Sequence, residues 1–276
     1  MKNLLKIATL SAIVLLTAFP AAAQSYKIKY NFETDKSYLY DYTMTNKMTQ
    51  EVMGNEMKFD SELNAIIRMQ KQGDTESGNS ILITSLDSAT VKTSSPMGDT
   101  TMVMTDMLGK RIKLEISPLG KIVTREVLDS VEASLMNAQF NRETISLPEM
   151  SENEIKPGES WTVDKVDSVE TAGGVFINTS KNVYTLVGKE SYKNYECLKI
   201  TSVSELTIEG NASMQGFDFV AEGTGKATGT IYFDNEKGLL KEMVQNMELQ
   251  FNLAGTGQQN IIIPITQEMT NTYTLK

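Results

Sequence analysis

The chain has 276 residues, sixteen methionines, one cysteine, no histidine and a formal net charge of −9. Without histidine there is no Ser-His or Cys-His nucleophile and no imidazole metal site. One thiol forms no internal disulfide, and acidity without a basic cluster disfavours phosphate-backbone binding, so nucleic acid is not an expected partner.

The first residues have the profile of a secretory signal. Lys2 and Lys6 precede the apolar stretch Ile7 to Phe19, and Ala21-Ala22-Ala23 offers small residues for cleavage. Residues 1–23 are therefore expected to be removed, leaving a mature chain from Gln24. A lipid anchor there would need a cysteine after the cut, whereas the one present is Cys197, expected to be buried. No later stretch approaches the roughly 20 apolar residues of a spanning helix; the strongest run, Ile261 to Ile265, is broken by Pro264. The expected location is the periplasm, the outer-membrane surface or the exterior, with no transmembrane helix.

From there the periodicity is that of strands. Between Tyr38 and Met48 one face carries Tyr38, Tyr40, Tyr42, Met44, Asn46 and Met48, and the other Leu39, Asp41, Thr43, Thr45 and Lys47. Similar alternation runs through Ile81 to Leu86, Ile112 to Ile116, Asn182 to Val187, Leu198 to Ile208, Thr228 to Phe233 and Ile261 to Leu275. Ser117-Pro118-Leu119-Gly120 and Asp234-Asn235-Glu236-Lys237-Gly238 read as hairpin loops, each ending in a glycine suited to left-handed backbone. One stretch departs from this pattern: Asp129, with Glu132 three residues on, caps Leu128, Val131, Leu135 and Ala138 at helical spacing, predicting a short helix near 129–141.

The fold class is all-β, mainly antiparallel with one short helix, arranged as two related curved sheets or half-barrels. Gly109-Lys110-Arg111-Ile112 and Gly120-Lys121 are echoed by Gly225-Lys226-Ala227-Thr228 and Lys237-Gly238, and Lys36-Ser37-Tyr38 by Glu159-Ser160-Trp161. This divides the mature chain into an N-terminal half at 24–146, an acidic, proline-bearing linker or crossover at 147–160, and a C-terminal half at 161–276. The halves form either two domains or one continuous sheet. Met44-Thr45-Asn46 recurs as Met269-Thr270-Asn271, a hint that the first and last strands are neighbours.

Lys36-Ser37-Tyr38 after an extended start, the Gly-Lys hairpins, and Leu147-Pro148 leading to Lys156-Pro157-Gly158-Glu159-Ser160-Trp161 together resemble an uncharacterised family of exported β-rich proteins of Bacteroides-type bacteria. The resemblance spans most of the mature chain and brings no catalytic residues with it. In architecture alone the chain is also similar to the half-barrels of periplasmic lipoprotein carriers, and an analogy of fold does not establish function.

Methionine is the compositional outlier. Met44, Met48, Met53 and Met57 lie close together, as do Met97, Met102, Met104 and Met107. Soft thioethers suit copper(I), but flexible methionines more ordinarily fill a core or line an adaptable apolar surface; no metal or cofactor is expected. Tyr38, Tyr40 and Tyr42 could grip a sugar or a headgroup, although cross-strand packing is their ordinary use, and Trp161 reads first as a core anchor. Acid pairs such as Asp234 with Glu236, or Asp164 with Asp167, fall in turn-like polar segments. Gly223-Thr224-Gly225-Lys226 lacks the spacing and the following helix of a phosphate loop.

The reading is a non-enzymatic secreted envelope protein whose concave β surface binds an apolar or lipid-like ligand, a lipidated protein or another envelope component. The residues expected on that surface are Tyr38, Tyr40, Tyr42, Met44, Met48 and Trp161. The alternatives are a structural or assembly protein, a carboxylate-based hydrolase and an outer-membrane barrel, the last disfavoured by the single tryptophan and the charged positions scattered through the strands.

Overall fold

In a computed structural model, residues 24–52, 54–129, 147–171, 174–214, 217–256 and 260–276 are described. The segments read as a signal, 1–23, and as a helix, 129–141, lie outside them except for Asp129. Its carboxylate takes the Arg111 side chain at 2.8 and 3.0 Å and the Arg111 backbone N–H at 3.0 Å.

The strands are β1 (Ser37–Val52), β2 (Asn55–Asp74), β3 (Ser80–Ser95), β4 (Gly98–Val103), β5 (Ile112–Ile116), β6 (Ile122–Val127), β7 (Ser160–Thr171), β8 (Gly174–Tyr192), β9 (Tyr195–Met214), β10 (Phe217–Asp234), β11 (Leu239–Thr256) and β12 (Ile261–Leu275), with a helical turn at Thr105–Met107. They are rich in Thr, Val, Ile, Tyr and Phe, whose branched or aromatic side chains suit a pleated, half-buried surface.

All pair in one antiparallel sheet, in the order β6-β5-β3-β2-β1-β12-β11-β10-β9-β8-β7, with β4 also on β3. Two meanders are thus fused where β1 meets β12, while the edges β6 and β7 do not pair; the sheet curves without closing into a barrel. In that seam Met44 faces Asn271, Thr45 faces Thr270 and Asn46 faces Met269, so the recurrent tripeptides pair with one another.

Call the end of the sheet holding the β2–β3, β5–β6, β8–β9 and β10–β11 turns proximal. The β8–β9 turn has φ of 44° at Lys193 and 68° at Asn194, the two-residue geometry that matches strand twist. The two hairpin glycines expected from sequence are left-handed, with φ of 91° at Gly120 and 69° at Gly238. Each also lets backbone approach closely: a Cβ on Gly120 would lie 2.5 Å from the Tyr30 ring and 2.7 Å from the Pro148 carbonyl, and one on Gly238 would lie 2.6 Å from Asn31.

The N-terminal segment that meets both hairpins is the proximal plug. Tyr30 N–H donates to Pro118 O and Asn31 N–H to Gly238 O, while Tyr26 and Ile155 exchange a backbone pair. Its Ile28, Tyr30 and Phe32 are buried in one core cluster with Phe233, Leu240, Leu198 and Leu114, the Tyr30 ring meeting Phe233 edge-on. Fully burying side chains of this size is worth about 1.5–3 kcal/mol each. Residues 147–150 close the gap beside them: Met150 N–H donates to Leu119 O, and Tyr30 Oη and Trp161 Nε1 donate to Pro148 O and Glu149 O.

Candidate functional site

The expected binding residues divide between two environments. Tyr38, Tyr40 and Tyr42 are only 3%, 2% and 2% exposed. Tyr38 Oη accepts the Glu33 N–H at 2.8 Å, Tyr40 Oη donates to Leu240 O at 3.1 Å, and Tyr42 Oη donates to Asn271 Oδ1 at 3.0 Å. Tyr42 also stacks on Tyr273 at 4.5 Å. The structure places these three rings inside the proximal core. Trp161 stacks on Tyr184 at 5.3 Å at the rim of that core.

Met44 and Met48 are half-buried farther along the same face of β1, where the sheet brings them residues that sequence reading did not assign. Met44 lies opposite Leu63 and Asn271, and Met48 opposite Phe59 and Gln267. On the adjacent strands Met247 and Met269 are direct partners, which puts their Cβ atoms about 5 Å apart. Four methionines from β1, β11 and β12 therefore share one patch, although β1 and β12 are more than two hundred residues apart in sequence. The other expected group disperses: Met97 is 92% exposed on a turn, whereas Met104 and Met107 are in the core.

Beyond the plug the inner face keeps the core's alternation. Leu249, Ile265, Met269 and Ala227 are buried there, outside the main cluster. A glycine column on β10 lets neighbouring side chains lie across it: Leu249 over Gly225, Phe251 over Gly223, and Ser202 over Gly229. A Cβ on Gly223 or Gly225 would meet those neighbours at 2.2 Å, so these glycines serve packing against large cross-strand partners. This is the role of the segment that superficially resembled a phosphate loop.

The polar groups of the distal inner face on β1, β8, β9 and β12 are neutral. Gln267 Nε2 donates to Asn46 Oδ1 at 2.9 Å; Ser204 Oγ donates to Asn182 Oδ1 at 2.7 Å; Asn182 Nδ2 donates to Ser180 Oγ at 3.0 Å and Val163 O at 3.2 Å. By strand alternation, the described distal inner positions of β1, β8, β9, β10, β11 and β12 hold no Asp, Glu, Lys or Arg. On β7 the inner Lys165 is paired with Glu149 at 2.8 Å. The outer face is the reverse, with Thr43, Thr45, Lys47, Thr49 and Glu51 on β1 and Thr266 and Glu268 on β12. A membrane-spanning barrel needs an apolar outer band with aromatic girdles; the outer positions of β1 lack one, whereas Val166, Ile177, Val203, Val220 and Ile262 are exposed apolar residues on other strands. No described helix is long and apolar enough to cross a membrane.

Of the acids considered for catalysis, Asp164 and Asp167 lie within strand β7 and not in a turn, three residues apart and so on opposite faces. Asp234 is buried at the β10–β11 hairpin, accepting the Lys237 N–H at 2.9 Å and lying 3.7 Å from Lys241 Nζ. Cys197 is buried close by, and burial raises its thiol pKa, with the Asp234 carboxylate adding to the effect. Burial also pushes Tyr184 up to about 12, with Glu149 contributing. Among the described residues no group of three or more Cys, Asp or Glu is placed to hold a metal ion.

No protein-family model matches the chain, and no curated protein matches it. Solved structures similar to it include an outer membrane channel from Pseudomonas putida F1, at a TM-score of 0.31 and 10% identity over 90% of this chain and 98% of that one. Pseudomonas aeruginosa OccK2 (OpdF) gives a TM-score of 0.29 and 7% identity over 89% of this chain and 100% of that one. Scores this low establish no shared fold.

Proposed function

We propose that this is a non-enzymatic, exported envelope protein that binds an elongated apolar ligand on the distal inner face of its sheet. One observation carries the reading. The long strands continue well past the plugged core, and their distal inner face stays apolar or neutral there, with Leu249, Ile265 and Met269 outside the main core cluster. A soluble sheet with no task at that face gains nothing from keeping it apolar, whereas an apolar ligand needs little beyond shape and a few polar groups. Methionine is suited to such a face because its unbranched thioether chain adapts to irregular partners. The threonine-rich, charged outer face supports a water-exposed envelope protein.

Native mass spectrometry of protein purified gently from its own envelope tests this. A bound apolar molecule is the expected result. Protein that arrives bare and takes up no acyl-chain compound on titration would refute the reading.

A further inference from the structure

We infer that the ligand is an amphiphile with one acyl chain and an uncharged, hydroxyl-bearing head, the chain lying on the methionine patch and the head on the serines of β8 and β9. This rests on the binding role proposed above and adds the class of ligand.

The first argument is charge. An anionic head brought to a low-dielectric surface needs a cation or several donors, because burying an unpaired carboxylate or phosphate is costly. Distal inner positions of the central strands offer no cation; on β7, Lys165 is already paired with Glu149, and Asp167 follows two residues later at the next inner position. That environment repels an anion and tolerates a neutral head.

The second argument is an unspent hydroxyl. Ser202 is 8% exposed, and its Oγ lies 2.4 Å from where a Cβ of Gly229 would stand, over the inner face of β10. It makes no side-chain hydrogen bond to another described residue, although its neighbour Ser204 bonds Asn182. Its Oγ is not among the buried polar atoms left without a partner, so it stays accessible at the sheet surface, where a ligand hydroxyl or ester oxygen would bond it without displacing an internal partner. From Ser204 the same row of the sheet runs through Ala227 and Met247 to Met269. With strands about 4.8 Å apart, that places the polar patch about three strands, or roughly 14 Å, from Met269, a span one acyl chain covers.

The test is calorimetric titration of the full mature chain with three soluble probes of equal chain length: 1-monodecanoylglycerol, methyl decanoate and decanoate. The inference expects the glycerol ester to bind tightest, and at least about tenfold more tightly than decanoate at neutral pH. Ser202→Ala, which removes no internal bond, should weaken the glycerol ester severalfold and leave the methyl ester unchanged. Decanoate binding as tightly as the glycerol ester, or a Ser202→Ala effect equal for both esters, would overturn the assignment while leaving apolar binding intact. If none of the three binds, the proposed function itself falls, and this inference with it.

Discussion

The proximal and distal halves of the sheet are built from the same strands with the same alternation, yet only one is sealed. Proximally, the segment around Ile28, Tyr30 and Phe32 and the residues at 147–150 supply a second layer, and the tyrosine hydroxyls are satisfied by backbone and side-chain partners. Distally, the tyrosines give way to methionines, amides and the phenylalanines Phe59 and Phe251, outside the main core cluster. Apolar periodicity thus reports which face points inward; what fills the inside depends on segments far away in the chain.

The comparison breaks most sharply under core truncation. Phe233→Ala removes a fully buried ring that meets Tyr30 edge-on at 5.2 Å and should cost about 3–5 kcal/mol in urea unfolding. Replacing both Met247 and Met269 by leucine should cost under about 1.5 kcal/mol per site, because an adaptable face demands less exact packing. Equal losses would mean that both halves are ordinary core.

Two glycines sharpen the contrast. Gly120→Ala forces a side chain into left-handed backbone and into Tyr30 and Pro148, and a loss of about 2–3 kcal/mol is expected from thermal or urea melting. Gly54→Ala, at the distal β1–β2 turn, has φ of 77° but no atom within 4 Å of the new Cβ. Only the conformational cost applies there, about 1 kcal/mol.

Alkaline titration should also act on the proximal half. Burial raises the pKa of Tyr30, Tyr40 and Tyr184, the last to about 12. Their folded values exceed the unfolded one, near 10, so their contribution is intact below pH 10 and is lost as pH climbs towards and past 12. Tyrosinate absorbance should therefore rise first from less buried rings and then abruptly with unfolding. The smallest effect belongs to Asp129, whose hydrogen bonds from Arg111 hold its carboxyl down to about 2. This contribution is present above the unfolded value and lost as pH falls towards 2, and Arg111→Gln should return the Asp129 midpoint, read by NMR, to the ordinary carboxylate range.

The legibility of the sequence followed the same division. Alternation located all or part of β1, β3, β5, β8, β9, β10 and β12, because aromatic and aliphatic residues mark their inner faces. It missed β2, where Ser61, Ala65 and Lys71 interrupt an inner face that otherwise runs Met57, Phe59, Leu63, Ile67, Met69, and β11, whose inner Gln245 does the same. Both have compositions equally acceptable to a helix. Strand lengths were also underestimated: on β8 alternation reads from Asn182 to Val187, whereas the strand runs Gly174–Tyr192, with neutral Asn178 and Ser180 at its inner positions. Met44 and Met48 were recognised from local pattern, but Met247 and Met269 became visible only through register, for which the recurrent Met-Thr-Asn tripeptide was the one signal. Packing was the ordinary expectation for Tyr38, Tyr40 and Tyr42, but that they belong to a sealed core and not to the ligand surface was not legible, because it depends on a plug brought in from the N-terminal segment and the crossover.

Methionine oxidation footprinting tests the central claim most directly. With monodecanoylglycerol bound, peroxide modification of Met44, Met48, Met247 and Met269 should fall together, while the exposed Met97 is oxidised as before. Unchanged oxidation of the four, or protection that extends equally to Met97, would contradict a ligand face on the distal half of the sheet.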